Sequence, residues 1–361
     1  MAGILVGASH DGTGDGGGRG NAHRRAVRVP HERIPLNTLA VAFGLAGGAE
    51  LWSTLLDALG LSSVVADALW IVAALAWCWL VFAHVARGFR FGLPLADQLR
   101  HPAQGPIAAL VPVVAMLLGA RLEALLPTAG RVVVGIALVS ALGFAAWIIR
   151  HWIRGGLVVD AVHGGYFLPT VAAGFVGADV AAASGWVDIG WGAFGVAVLF
   201  WVVVLTALLS RLALRPPLPA PLVPTLAILA APPAVGGIAW VELTGSAAGP
   251  VVSLLVGGLA TMLLVQALLL PTYRRLPFSL GFWSFTFPSA AAGTFLIEWL
   301  SGSRGTLWQT WTIVAAALPS ALIAGVALRS VLLVVADRRR LYAAERTLER
   351  ADTQVERDAS E

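Results

Sequence analysis

Lysine is absent from this chain, cysteine occurs once, and charged residues make up only 12% of its 361 residues. Each scarcity excludes something. With 58% hydrophobic residues and a mean hydropathy of +0.81, too little polar surface remains to cover a water-soluble body of this length. The single cysteine, Cys78, lies inside an apolar run, which argues against a disulfide framework and a cysteine-based metal site. No histidine falls in the middle of an apolar run: His101, His151 and His163 sit in connections, and Asp160 with His163 lacks a convergent ligand set. No nucleophile, base or metal cluster gathers at one depth, so neither an enzyme nor a cofactor is expected. The pI near 10.1 reflects arginines at membrane edges rather than a nucleic-acid partner.

What is abundant is apolar sequence in pieces long enough to cross a bilayer, about 20 residues each. Ten such spans run near Leu36 to Leu56, Val64 to Ala86, Pro106 to Leu125, Arg131 to Trp152, Phe167 to Gly185, Ile189 to Leu212, Leu222 to Leu243, Pro250 to Leu270, Ser279 to Leu300 and Thr310 to Val335. With lysine absent, arginine alone reports the positive-inside bias. Arg19, Arg24, Arg25, Arg28 and Arg33 precede span one, and Arg338, Arg339 and Arg340 follow span ten. The even connections carry Arg87, Arg90, Arg100, Arg150, Arg154, Arg211, Arg215, Arg274 and Arg275, whereas the odd ones hold only Arg121, Arg131 and Arg304. This pattern predicts a multi-pass protein of the cytoplasmic membrane with both termini and all even connections in the cytoplasm. Short odd connections predict five helical hairpins. The domain expectation is a flexible, glycine-rich cytoplasmic tail over 1–33, a ten-helix membrane domain over 34–335 and a charged cytoplasmic helical tail over 336–361. In that last tail Leu341, Leu348 and Val355 form a short heptad seam, which a solvated helix would explain equally well.

Helix breakers are distributed unevenly among the spans. Pro106 and Pro112, Pro169, Pro224, Pro232 and Pro233, and Pro288 lie in odd spans, and span one carries Gly44, Gly47 and Gly48; among even spans only Pro319 is internal. Proline in an apolar helix frees a backbone carbonyl, which is tolerated where protein or a water-lined cavity supplies partners. The pattern predicts an all-α membrane protein with an inner ring of odd helices, kinked at Pro112, Pro169, Pro232 and Pro288, around a central pore. For any one of these residues, helix packing alone is an alternative.

Span nine is the most informative stretch. Leu280, Ser284, Phe287, Ala291, Thr294 and Glu298 share one face at helical spacing, alternating small or hydroxyl groups with one large ring beside Pro288. Such a face suits a pore closed by a dewetting gate. Spacing alone leaves Phe287 as either a gate or an ordinary core ring.

The stretch Phe285-Thr-Phe-Pro288 within Trp283 to Gly293, the Tyr166-Phe-Leu-Pro-Thr-Val-Ala-Ala-Gly-Phe175 start of span five and the His101-Pro102 to Gly119 approach to span three resemble the tellurite-resistance/dicarboxylate transporter family, which includes the plant guard-cell slow anion channels. The resemblance covers about Arg33 to Val335. It implies five hairpins with quasi-five-fold symmetry, an anion pore in each protomer, occlusion by Phe287 and a homotrimer. Candidate pore-lining residues under this reading are Leu280, Ser284, Ala291, Thr294, Phe43, Phe175 and Thr170. Substrate contact is expected from the hydroxyls of Ser284, Thr286, Ser289 and Thr170. The sequence departs at Ala42, where relatives can carry a proline, so the start of span one is expected to be straighter.

Each odd span also carries a carboxylate toward its far end: Glu50, Glu123, Asp179, Glu242 and Glu298. Intramembrane charges are functional candidates, and Glu50, Asp179 and Glu298 are read as acids of the outer mouth. Like charge repels a permeant anion, so protonation would ease passage; pairing of an acid with Arg121 would also balance the field. The partners expected are small anions and the lipid bilayer. The functional expectation is a channel or transporter for small anions or C4-dicarboxylates. Its rivals are a proton-coupled malate or sulfite/tellurite exporter and a membrane scaffold without transport.

Overall fold

The computed structural model describes residues 34–92 and 94–358. The expectation for the tail over 1–33 lies outside them. Among the described residues ten helical segments are long and apolar enough to cross a membrane: spans one to ten are Leu36–Leu59, Val64–Arg90, Gly105–Leu125, Pro127–Gly156, Gly164–Ala183, Val187–Leu214, Val223–Thr244, Pro250–Tyr273, Leu280–Ser303 and Trp308–Ala336. The last belongs to a helix that continues unbroken to Asp358. Each run of apolar sequence therefore became one span, with ends shifted by a few residues.

Odd and even spans differ in burial. The most apolar window is 39% to 78% buried in odd spans and 6% to 28% buried in even ones. Each odd span packs on the even span that follows it. The odd spans also contact one another in a closed circuit, one to three, three to five, five to seven, seven to nine and nine back to one. Outward faces of even spans expose Leu75, Trp79 and Phe82 in span two and Leu199, Val202 and Val203 in span six, surface suited to lipid.

The odd spans are compound. Spans three, seven and nine open with 3-10 turns over Gly105–Ala109, Val223–Ala230 and Leu280–Phe285, then become α-helical at Leu110, Ala231 and Thr286. Span five opens with a 3-10 turn over Gly164–Phe167 and a π turn over Leu168–Ala172. The prolines mark these changes of helix type. Pro112, Pro232 and Pro288 lie in the first turn of the α-helical half and Pro169 in the π turn. A proline's missing N–H and preset φ suit a place where the helical hydrogen-bond pattern changes. Span one has only Leu36–Thr38 in 3-10 form before its α-helix starts at Leu39. Span eight extends far enough to include Pro271, so Pro319 has a second even-span counterpart.

Candidate functional site

Two cavities lie along the axis enclosed by the odd spans. The larger, about 330 Å³, is at the arginine-rich end, and the smaller, about 20 Å³, lies beyond it. Spans one, three, five, seven and nine all contribute walls to both, and no even span contributes to either. Among the described residues only Phe287 and Val235 line both cavities, so these two side chains stand where the cavities meet.

The partition is tightly held. The Phe287 ring is 6% exposed and stacks on Phe43, with centroids 3.6 Å apart and planes at 14°. Gly47 supports it from span one: a Cβ there would stand 2.8 Å from Phe287 Cδ2, closer than packed carbons approach. Gly44 similarly admits Thr286. The small residues of span one therefore let span nine come close enough for the two phenylalanines to stack.

The larger cavity is predominantly apolar, and the polar groups at its mouth are mostly satisfied by the protein itself. His163 is fully buried; its Nδ1 accepts from Gly165 N at 3.0 Å, so Nε2 carries the proton and donates to Ala103 O at 3.1 Å. Burial pushes its pKa down to about 4, leaving the ring neutral. Tyr166 meets His163 edge-on at 5.5 Å and donates to Pro102 O. Thr225 Oγ1 accepts from Gly164 N and donates to Leu222 O. His101 Nδ1 accepts from Ala103 N and Gln104 N. His163 is more than the loop polar residue its sequence position indicated. Its only advance signal was the glycine pair that follows it.

The smaller cavity has a different chemistry. Glu50 and Asp179 line it beside Gly47, Ala291 and Thr294, and Thr294 Oγ1 is buried with no hydrogen-bond partner among the described residues. A volume of about 20 Å³ has room for one water molecule. Glu50, Asp179, Glu242 and Glu298 are within electrostatic reach of one another. Glu123 is engaged elsewhere, with Arg131 at 2.7 Å and the Ser184 hydroxyl at 2.7 Å. Arg121 pairs with Asp67 of span two while still acting electrostatically on Glu50.

On the span-nine face, Leu280 and Ser284 line the large cavity, Phe287 the partition, and Ala291 and Thr294 the small cavity. Phe43, Phe175, Pro232 and Pro288 also face the large cavity. Other expectations are corrected. Thr170 lines neither cavity, being buried in the π turn, and Glu298 stops short of the small cavity with Oε2 unpaired. Pro112 and Pro169 stand behind the wall. Of the four hydroxyls expected to meet substrate, only Ser284 reaches a cavity; Thr286 and Ser289 donate back to helix carbonyls of Trp283 and Thr286, as hydroxyls in helices commonly do. Val235 was missed, because one valine in an apolar helix carries no signal of its own.

Residues 33–331 match the family described as voltage-dependent anion channel. A curated relative, the Tellurite resistance protein TehA homolog of Haemophilus influenzae, is 25% identical over 262 residues, covering 72% of this chain and 79% of that protein. The family match spans all five odd helices and both cavities. The chain belongs to the voltage-dependent anion channel family, within the tellurite-resistance/dicarboxylate transporter group, and is a multi-pass membrane anion channel or transporter.

Proposed function

We propose that this protein passes small anions across the cell membrane along the axis of the odd spans, and that Phe287 is the gate. The observation that carries the reading is the partition: two cavities built from the same five helices, separated by Phe287 and Val235. An apolar constriction too narrow for a hydrated ion blocks conduction by excluding water. Phe43, stacked on Phe287, belongs to the same barrier.

Charge distribution favours monovalent cargo. No arginine lines either cavity among the described residues, so a divalent C4-dicarboxylate would shed its hydration without a cationic partner, at a cost that rises steeply with charge. The arginine bias supports placing the large cavity and both termini in the cytoplasm. The homotrimer rests on the family resemblance, and mass measurement in detergent tests it; a monomer rejects it.

The acids support a second, compatible reading, in which passage responds to external pH. Glu50 and Asp179 face the small cavity directly beyond the gate, with Glu242 and Glu298 near them and Arg121 the cation within reach. A negatively charged collar opposes anions, and protonation removes the opposition. Anion flux into liposomes tests both readings. Phe287→Ala should conduct well above wild type, and wild-type flux should climb as external pH falls. Unchanged conductance in a folded Phe287→Ala protein rejects the gate.

A further inference from the structure

A third cavity, about 440 Å³, opens at the arginine-rich end of span four, away from the central axis. Its walls carry Arg100, Arg150 and Arg154, none of which makes a hydrogen bond or ion pair among the described residues, and no acid lines it. The chain builds this cleft deliberately. Arg150 and Arg154 lie one turn apart at the end of span four, where the π turn over Trp152–Gly156 contains Gly155 at φ 83°. Arg100 arrives from the opposite side, as the last residue of the short helix Leu95–Arg100. The His151 ring lies parallel to Trp147, 5.9 Å away and at 6°, and a Cβ on Gly156 would run into that imidazole, so the glycine lets the backbone close over the ring.

We propose that this cleft binds the phosphate of an anionic phospholipid headgroup, such as that of phosphatidylglycerol. Three arginines without acidic partners among the described residues line one cleft, and guanidinium matches phosphate oxygens in both charge and geometry. Depth and surroundings select a lipid over a free ion. The cleft sits where a membrane span ends, its wall includes an indole of the kind enriched at headgroup level, and the adjoining outward residues Leu142 and Ile153 are 68% and 80% exposed, offering a path for acyl chains. Basic pockets between spans on the cytoplasmic side are suited to anionic headgroups for these reasons.

The test uses the full-length protein in neutral detergent, with lipid adducts measured by native mass spectrometry. The probes are phosphatidylglycerol, phosphatidylcholine of the same chains and inorganic phosphate. Wild type should retain phosphatidylglycerol in preference to phosphatidylcholine. The R100Q/R150Q/R154Q variant should lose affinity on the order of a hundredfold, about fivefold per arginine at the membrane surface. R274Q/R275Q, which neutralises two arginines at the same end of the molecule, should keep wild-type binding. Equal retention of the two lipids, unaltered binding by the triple variant, or equal loss in R274Q/R275Q overturns the proposal. Binding of inorganic phosphate as tight as that of the lipid also overturns it, making the cleft an ion site. Should the triple variant fail to fold, Arg154→Gln alone carries the test, with about a fivefold loss expected and no loss overturning the assignment.

Discussion

On the arginine-rich side of Phe287 the five odd spans enclose about 330 Å³, whereas on the other side the same five spans leave about 20 Å³. The wide side is built from 3-10 and π turns with Pro232 and Pro288 in its wall, and His163 there is neutral and hydrogen-bonded. The narrow side is built from α-helical halves in which Gly47 and Gly236 approach the rings of Phe287 and Phe175, and its polar groups are acids and an unpaired threonine hydroxyl. The contrast shows how one set of helices makes two environments. Irregular proline-containing turns hold the backbones apart, and glycines let regular helices close together.

The strongest way to break this contrast is to remove the partition. Phe287→Ala should merge the two cavities and raise anion conductance at least about tenfold, while lowering stability by about 3 to 5 kcal/mol, the usual effect of truncating a buried phenylalanine. Planar-bilayer current together with thermal unfolding reads both effects. A stable variant without added current would leave the two cavities separated by something other than Phe287.

Acid should act oppositely on the two sides. His163 has a folded pKa of about 4 against an ordinary 6.5, so its contribution to stability is complete above pH 6.5 and declines as pH falls toward 4. The full loss is about 3 kcal/mol. Unfolding measured across that range should show the decline in wild type and a flatter profile in His163→Gln. An identical slope in both proteins would remove His163 as the acid-sensitive element of the wide side.

The closeness of spans one and nine can be sharpened by a double-mutant cycle. Gly47→Ala places a methyl against Phe287 and should cost about 1 to 3 kcal/mol by overpacking. In a Phe287→Ala background the same change should cost much less, because the ring it strikes is gone and Ala290 Cβ, at 3.3 Å, is the close contact left. Equal costs in the two backgrounds would mean that the glycine serves another contact.

The smallest effect is expected on the narrow side. Replacing Glu50 and Asp179 with Gln and Asn should raise flux at neutral pH about fivefold, the effect of relieving roughly 1 kcal/mol of charge repulsion in a hydrated setting. The same variant should lose the rise in flux at low external pH. A wild-type pH profile in the double variant would make these acids packing or boundary residues.

Much of this contrast was legible in advance. Phe287, Ala291 and Thr294 line the cavities from the α-helical half of span nine, where a regular helix turns sequence period into direction, whereas Leu280 and Ser284 reach the large cavity from the 3-10 turn before it. Thr170 failed by the same logic. It lies in a π turn, where that period does not hold. Thr286 and Ser289 failed because their hydroxyls found nearer acceptors in their own helix. Pro112, Pro169, Pro232 and Pro288 fall where the helix type changes, a detail that a proline in a sequence does not specify.

The sequence by itself determined the solvent, the ten spans and the division into buried odd and exposed even helices, because transfer into lipid, arginine bias and helix breaking are properties of short segments read one at a time. Only the tertiary structure decided that Phe43 stacks on Phe287, that Val235 lines both cavities, that His163 is buried beside the large cavity and that Arg100 shares a cleft with Arg150 and Arg154. Those residues lie tens to hundreds of positions apart. Their meeting depends on how five helices settle against one another, ring against glycine, and no local pattern encodes that packing.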